Sequence, residues 1–315
     1  MTNHQKGLLL AFCGALVLTF DIPVLRLAGG EIWPVQFIRY GLAFGAGLVI
    51  WGLAGLWQGR PVTLLPGRTG VAVAGLYGLG GIAFVAAVFN TNAANVVFIL
   101  AFNGMFAAAI GWLLFGERPP IQTLLTMAVM IGAVGLIVGD GLGSGNLFGD
   151  IAALAASFLI ANAITLSRAS GRDMGFAPLM GGLLAVSLAA VMMVDAGELT
   201  AASVNAPWWL IVNGAILIPV SFWCLATAPK FIPAPEAAMF YLLETVLAPV
   251  WVWLLFDESP TPLALTGGAI LIVALFAHSL WQLLREDGPP PHSYRTLFDE
   301  IDETPAQVAK RRLTV

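Results

Sequence analysis

The 315-residue chain carries few charged side chains for its length. Asp, Glu, Lys and Arg make up 10 % of the residues and hydrophobic residues make up 59 %, whereas soluble domains carry roughly 25 % charged residues. Eleven of the charged residues lie in the last 31 positions, from Arg285 onward. The preceding chain is therefore almost uncharged and cannot present a water-facing surface, which predicts a membrane protein.

Other residue types are scarce as well, and each scarcity excludes a class of function. The two cysteines, Cys13 and Cys224, lie far apart in apolar runs, which excludes a disulfide framework and a cysteine metal site; we expect both thiols to be buried. Three histidines lie toward the chain ends, so no metal or nucleophile set is indicated. No basic stripe interleaves with aromatics, which argues against nucleic acid. We predict no cofactor and no enzymatic activity.

Long apolar runs dominate what is present. A bilayer core about 30 Å thick is crossed by about 20 helical residues, and runs of that length are apolar on all sides, which favours helices over a β-barrel. Cutting the chain at polar, Gly and Pro clusters predicts ten spans. These are residues 7–28, 32–57, 69–90, 94–115, 120–139, 147–168, 175–195, 207–229, 234–256 and 261–284.

Positive charges predict the orientation of these spans. Of the 14 Lys and Arg residues, Arg39 lies well inside a span, Arg26 lies at the predicted outer end of the first span, and all others lie toward the opposite side. Because cytoplasmic loops carry an excess of Lys and Arg, we expect both termini to be cytoplasmic and the protein to lie in the cytoplasmic (inner) membrane. The prolines that follow Arg285 indicate a mobile cytoplasmic tail over residues 285–315.

The chain also contains an internal repeat. The segment WLLFGERP at 112–119 matches WLLFDESP at 253–260 with an offset of 141 residues. We therefore predict two five-helix halves, residues 7–139 and 147–284, which follow a cytoplasmic N-terminus (1–6) and are joined by an outer Gly-rich linker (140–146). Five is odd, so the second half must cross in the opposite sense. Such inverted halves can exchange conformations around a site near the midplane, which suits alternating access.

These features resemble a known family. The two halves of about 140 residues, the repeated WLLF-x-E-x-P turn and the GDIAALAAS opening of the second half are similar to the drug/metabolite transporter superfamily with paired EamA-type domains; within it, the YddG-type amino-acid exporters are the comparison we offer. The resemblance implies a ten-helix basket, export of small metabolites, and a central cavity lined mainly by spans 1, 3, 4, 6, 8 and 9. It assigns the family glutamate to Glu117 and Glu258 and the family arginine to Arg39, whereas the second half has Leu183 near the position equivalent to Arg39.

Two charged residues lie at similar depths in consecutive spans. Asp21 and Arg39 are each about seven residues from the predicted outer ends of spans 1 and 2, which is about 10 Å at 1.5 Å per residue. A charge at the bilayer centre costs about 2.5 to 3.5 kcal/mol on insertion scales unless it is paired or hydrated, so we expect the two to pair. One interpretation is a structural ion pair. The other is that Arg39 contacts a substrate carboxylate or that Asp21 takes up a proton.

Glu244 is the strongest single candidate for the site. It lies near the middle of the predicted ninth span, and its repeat counterpart is Asn103 in the fourth. It could carry a proton or bind a substrate ammonium, or it could only hydrogen-bond between helices.

Aromatic and amide side chains complete the predicted substrate site. They lie in spans 3, 4, 6, 8 and 9, although such residues also pack between helices or face lipid without meeting a ligand. The candidates are Tyr77, Phe84, Asn95, Phe98, Phe102, Asn103, Asn162, Trp223, Tyr241 and Glu244.

Three classes of function remain open from the sequence. The leading hypothesis is a secondary transporter that exports small metabolites, most of all aromatic or amphipathic amino acids and also xenobiotics, as a monomer or homodimer. No nucleotide-binding motif is present, so proton antiport, exchange or facilitation would drive it. The alternatives are a membrane-embedded enzyme on lipid-linked substrates and an accessory membrane subunit.

Overall fold

The described part of the chain folds into helices and the turns between them. A computed structural model describes residues 3–59, 62–116, 119–144, 146–195, 204–228, 231, 240, 242–257 and 259–284. The helices are α1 (Asn3–Leu18), α2 (Asp21–Ala28), α3 (Ile32–Gln58), α4 (Gly67–Asn90), α5 (Ala93–Leu100), α6 (Asn103–Phe115), α7 (Ile121–Ser144), α8 (Leu147–Ser170), α9 (Ala177–Asp195), α10 (Pro207–Ile211), a π-helical turn (Val212–Leu217), α11 (Ile218–Thr227), α12 (Leu242–Phe256) and α13 (Pro262–Leu284).

Nine helical segments of this described chain are long and apolar enough to cross a bilayer. Their ends lie within four residues of the predicted spans, because a helix can remain in lipid only over a continuous apolar run. The apolar helix in the predicted ninth span is shorter, Leu243–Phe256, since most of 229–241 lies outside the described residues. The protein is thus an all-helical, polytopic membrane protein.

The first span is interrupted near its middle. α1 ends at Leu18, and Thr19 and Phe20 form a turn before α2 begins at Asp21. Pro23 explains the turn, because proline has no N–H to donate to the carbonyl of Thr19 and its ring crowds that carbonyl. The interruption leaves Asp21 in the first turn of a new helix.

Two further spans are irregular at comparable depths. In the eighth span the π-helical turn lies between α10 and α11 and ends just before Pro219, whose missing N–H again removes a regular helical bond. In the fourth span, residues 101 and 102 form a turn between α5 and α6. Single π turns occur often at functional sites.

The helices pack through small residues. α4 packs against α8 and α9, α3 against α9, α7 against α13, and α1 against α11. Gly78 of α4 lies on Gly181 of α9, and a methyl group added to either residue would collide with the backbone of the other helix. Close approach of this kind is how helices associate in lipid, where apolar burial gives little driving force. Large apolar side chains such as Leu56, Leu113 and Val273 are exposed on the outside, as a lipid-facing surface requires.

Two expectations meet a different outcome, and others lie outside the described residues. α7 continues to Ser144, so helix extends into the residues whose glycines indicate a linker from 140 onward. Cys224 is buried as expected, but Cys13 is exposed because it faces away from the α1 and α11 contact made by Gly14. The tail over 285–315 and both turn glutamates, Glu117 and Glu258, lie outside the described residues.

Candidate functional site

Asp21 and Arg39 form a buried ion pair. Arg39 Nη2 of α3 donates to Asp21 Oδ2 at 2.8 Å, and the two side chains are only 4 % and 8 % exposed. The break after α1 places Asp21 at the start of α2, where its side chain reaches Arg39 of α3. The pair neutralises two charges that would each be costly in lipid.

Asn213 joins this pair from the other half of the chain. Its Nδ2 donates to Asp21 Oδ1 at 2.6 Å and to the Asp21 backbone carbonyl at 3.2 Å. The π-helical turn carries Asn213, and Gly214 beside it lies directly on the backbone of Arg39, where a methyl group would not fit. We call Asp21, Arg39 and Asn213 the polar triad.

Aromatic rings flank the guanidinium of the triad. The Arg39 Cζ atom lies 5.2 Å from the ring centroid of Tyr40 and 5.1 Å from that of Phe84, both within cation–π range. Gly81 of α4 gives Tyr40 its room, since an added methyl group would overlap the phenol. The two rings therefore pack around the cation.

Several polar atoms around the triad have no partner among the described residues. They are Nε and Nη1 of Arg39, Oδ1 of Asn213, and both amide atoms of Gln36. Arg39 is 3 % exposed, and Gln36 and Asn213 are fully buried. A buried polar group without a partner costs about 1 to 3 kcal/mol, so this arrangement favours any ligand or water that supplies partners.

The helix that carries Glu244 packs against the helix that begins at Asp21. Glu244 stands in the first turn of α12, it is partly buried, and α12 contacts α2. Its repeat counterpart Asn103 stands in the first turn of α6, after the interruption of the fourth span. Tyr241 lies outside the described residues.

α12 also holds the break in the first span. Trp251 Nε1 donates to Thr19 Oγ1 at 3.0 Å, and the Trp251 ring stacks on Phe20 with centroids 5.1 Å apart. Both partners belong to the turn that presents Asp21. The helix that carries Glu244 is thereby coupled to the position of the triad.

Asn95 belongs to a second polar cluster. Asp150, fully buried in the first turn of α8, accepts at Oδ1 from Thr91 Oγ1 at 2.6 Å and from Asn95 Nδ2 at 3.2 Å. Arg26 Nη2 donates to the backbone carbonyls of Val88 and Thr91. These hydrogen bonds gather at the C-terminal end of α4. The side chain of Asn95 is thus bonded to Asp150 within the structure.

The remaining candidates are dispersed. The ring of Phe98 packs on Gly268 of α13, and Phe102 makes an edge contact with Phe106, 4.9 Å between centroids. Asn162 Nδ2 donates to the carbonyl of Phe158 in its own helix at 2.8 Å. Tyr77 packs with the apolar cluster between α4 and α9, and Trp223 is 56 % exposed. Of the candidate set, the structure brings Phe84 to the Asp21 and Arg39 pair, and it packs the helix of Glu244 against the helix of Asp21.

Asn213 and Gln36 are the residues that the sequence reasoning missed. A signal for Asn213 was present, because it is an amide within a predicted apolar span six residues before Pro219. No feature of the sequence indicated that it would meet Asp21. In the described part of the chain, no group of three or more His, Cys, Asp or Glu residues could hold a metal ion.

Comparisons with known proteins agree with this architecture. No family model matches the chain. It is 21 % identical over 281 residues to the Pseudopaline exporter CntI of two Pseudomonas aeruginosa strains, which covers 87 % of this chain and 96 % of the relative. A solved crystal structure of a protein has the same fold, with a TM-score of 0.59 at 17 % identity over 90 % of this chain and 99 % of that one. Similarity to an exporter confirms the prediction that the chain is not an enzyme. From its helices and these comparisons, the chain is a polytopic helical membrane protein that is similar to an exporter.

Proposed function

We propose that the protein exports a small metabolite across the membrane by alternating access between two five-helix halves. The observation that carries the proposal is the polar triad: Asp21 and Arg39 come from the first half, Asn213 comes from the second, and all three are buried. A buried polar contact between two halves can be broken and remade when the halves move. Because hydrogen bonds are directional, such a contact also favours one relative position of the halves more than an apolar interface would.

The packing pattern supports an inverted repeat. In such a repeat, spans 1 to 5 correspond to spans 6 to 10, so each contact between two spans should have a counterpart. The contact of the third span with the sixth, α4 with α8, is matched by that of the eighth with the first, α11 with α1. The contact of the third span with the seventh, α4 with α9, is matched by that of the eighth with the second, the π-helical turn with α3. Two contacts join spans that correspond to each other in the repeat: the second with the seventh, α3 with α9, and the fifth with the tenth, α7 with α13. Each of these contacts therefore maps onto itself.

The interrupted helices also support the proposal. Discontinuous spans near the bilayer midplane form substrate and ion sites in secondary transporters with inverted repeats. Here Asp21 follows the break in the first span and Asn213 lies in the irregular turn of the eighth. By span position, Asp21 and Asn213 are each seven residues from the ends that meet at Ala28 and Ala206, about 10 Å at 1.5 Å per residue.

Two substrate classes have support. Amino acids, aromatic or amphipathic, match the aromatic rings and the opposite charges around Arg39 and Glu244, and xenobiotics with similar groups fit the same description. The similarity to the Pseudopaline exporter CntI supports pseudopaline-like metabolites as the second class.

Counterflow into proteoliposomes tests the function. Purified protein is reconstituted alone, and uptake of a panel of radiolabelled L-amino acids is measured against an excess of the same solute inside, with and without a pH gradient. Pseudopaline is included as a separate solute. We expect counterflow of at least one solute; failure of every solute at protein levels that keep their fold would favour an accessory subunit. Stimulation by an opposing proton gradient would identify antiport.

The orientation is part of the proposal. We expect both termini on the cytoplasmic side of the inner membrane, since positive residues gather there. Alkaline phosphatase fused after residue 30 should be active, and the same enzyme fused after residue 60 or residue 286 should be inactive. Activity of the fusion at residue 286 would place that residue on the outer side of the membrane. Two five-helix halves of opposite orientation place it on the cytoplasmic side, so this result would contradict the inverted arrangement.

A further inference from the structure

We propose that the N–H edge of Arg39 is the subsite for a substrate carboxylate, and that the transported molecules are amino-carboxylates. This proposal rests on the proposed transport function. It follows from the state of the arginine. Only Nη2 is used, on Asp21, while Nε and Nη1 are enclosed and have no partner among the described residues.

A carboxylate matches these donors better than any other ligand group. Arginine N–H groups form their strongest and most specific hydrogen bonds with carboxylate or phosphate oxygens. Asp21 already lies beside the guanidinium, and a phosphate with up to two negative charges would add more repulsion there than a single carboxylate. The flanking rings of Tyr40 and Phe84 leave the edge of the group for hydrogen bonds.

Gln36 extends the subsite along α3. It stands three residues before Arg39, about 4.5 Å along the helix axis, and positions three apart lie on one helix face. It is fully buried, and neither amide atom has a partner among the described residues. The amide nitrogen of Gln36, Nε2, can donate a hydrogen bond to the second oxygen of the ligand carboxylate.

The charges at the site define the rest of the ligand. Asp21 balances Arg39, so an added carboxylate leaves an unbalanced negative charge in a low-dielectric environment. A ligand that brings its own ammonium group compensates for this charge, whereas a simple carboxylic acid does not. An amino-carboxylate therefore fits, and a plain amine leaves Arg39 without its partner.

The subsite is closed at one end. The backbone N–H of Ala206 donates to the carbonyl of Ala28 at 2.9 Å, and this contact joins the ends of the eighth and first spans above the triad. Asn213 on Asp21 forms the next layer below.

The test compares matched solutes. Wild-type proteoliposomes are assayed by counterflow with each transported amino acid and with its carboxamide, for example L-phenylalanine and L-phenylalaninamide, which differ at the carboxylate alone. Because charge-assisted hydrogen bonds are the strong class, we expect a preference of roughly 10- to 100-fold for the acid in transport efficiency. Equal transport of acid and amide would overturn the subsite while leaving the transport function intact.

Variants locate the preference at Arg39. Removal of Arg39 alone would leave Asp21 buried without a counter-charge, so the double variant D21N/R39Q is used because it removes both charges. We expect the ratio of acid to amide transport by this variant to fall toward one, whatever its absolute rate. The matched control is R68Q, an exposed arginine at the start of α4, which should keep the wild-type preference. An unchanged preference in D21N/R39Q would overturn the assignment, and loss of all counterflow in wild type would instead refute the transport proposal.

Discussion

Replacement of Asp21 by Asn tests how much the buried ion pair contributes to the fold. Asn has the same shape and can still accept a hydrogen bond from Arg39, so the change removes charge and little else. Arg39 is then left buried as an uncompensated cation, with Nε and Nη1 already without partners in the described structure. Removing one partner of a buried pair typically costs about 3 to 5 kcal/mol, and a charge at the bilayer centre costs about 2.5 to 3.5 kcal/mol on insertion scales.

Both values indicate a loss of about 3 kcal/mol for D21N, which is roughly a hundredfold in the folding equilibrium. The measurement is the apparent unfolding midpoint of the purified protein in one detergent, at one scan rate, followed by tryptophan fluorescence. D195N is the matched control, because Asp195 is exposed at the end of α9 and surface substitutions usually change stability by less than about 0.5 kcal/mol.

The double variant D21N/R39Q completes the test. It removes the uncompensated cation, and neutral replacements of a buried ion pair are often tolerated, so we expect it to recover most of the lost stability. A D21N midpoint equal to that of D195N would show that the pair does not stabilise the fold. A double variant no more stable than D21N would show that shape, and not charge, determines the loss.

Three further changes test the surroundings of the triad. G81A should lower the free energy of unfolding by about 1 to 3 kcal/mol, as overpacking does, and so lower the midpoint, because the methyl group displaces the Tyr40 phenol; G75A, with open space around it, should be neutral or slightly stabilising. W251F keeps a ring on the first-span turn but loses one hydrogen bond, so we expect a loss of about 1 kcal/mol in the same assay. E244Q should fold normally and transport without a response to a pH gradient, and an unchanged rate and pH dependence would exclude Glu244 as a proton carrier.

The sequence predicts the spans well because that signal is local. A stretch of about 20 apolar residues can cross the bilayer wherever the other helices lie, and the described helices follow the predicted spans within a few residues. Intramembrane charge was equally informative: the cost of an isolated charge predicts that Asp21 and Arg39 meet, and the structure joins them at 2.8 Å. The repeat match and the substrate site stay predictions.

The lateral arrangement of the helices could be decided only by the tertiary structure. Asn213 meets Asp21 across 192 positions, and Asp150 collects Thr91 and Asn95. Phe98, an expected cavity residue, lies on Gly268 instead. Hydropathy gives the depth of a side chain in the membrane but not its direction around the helix. That direction follows from small-residue packing and polar contacts between distant spans, which the order of residues along a single chain does not record.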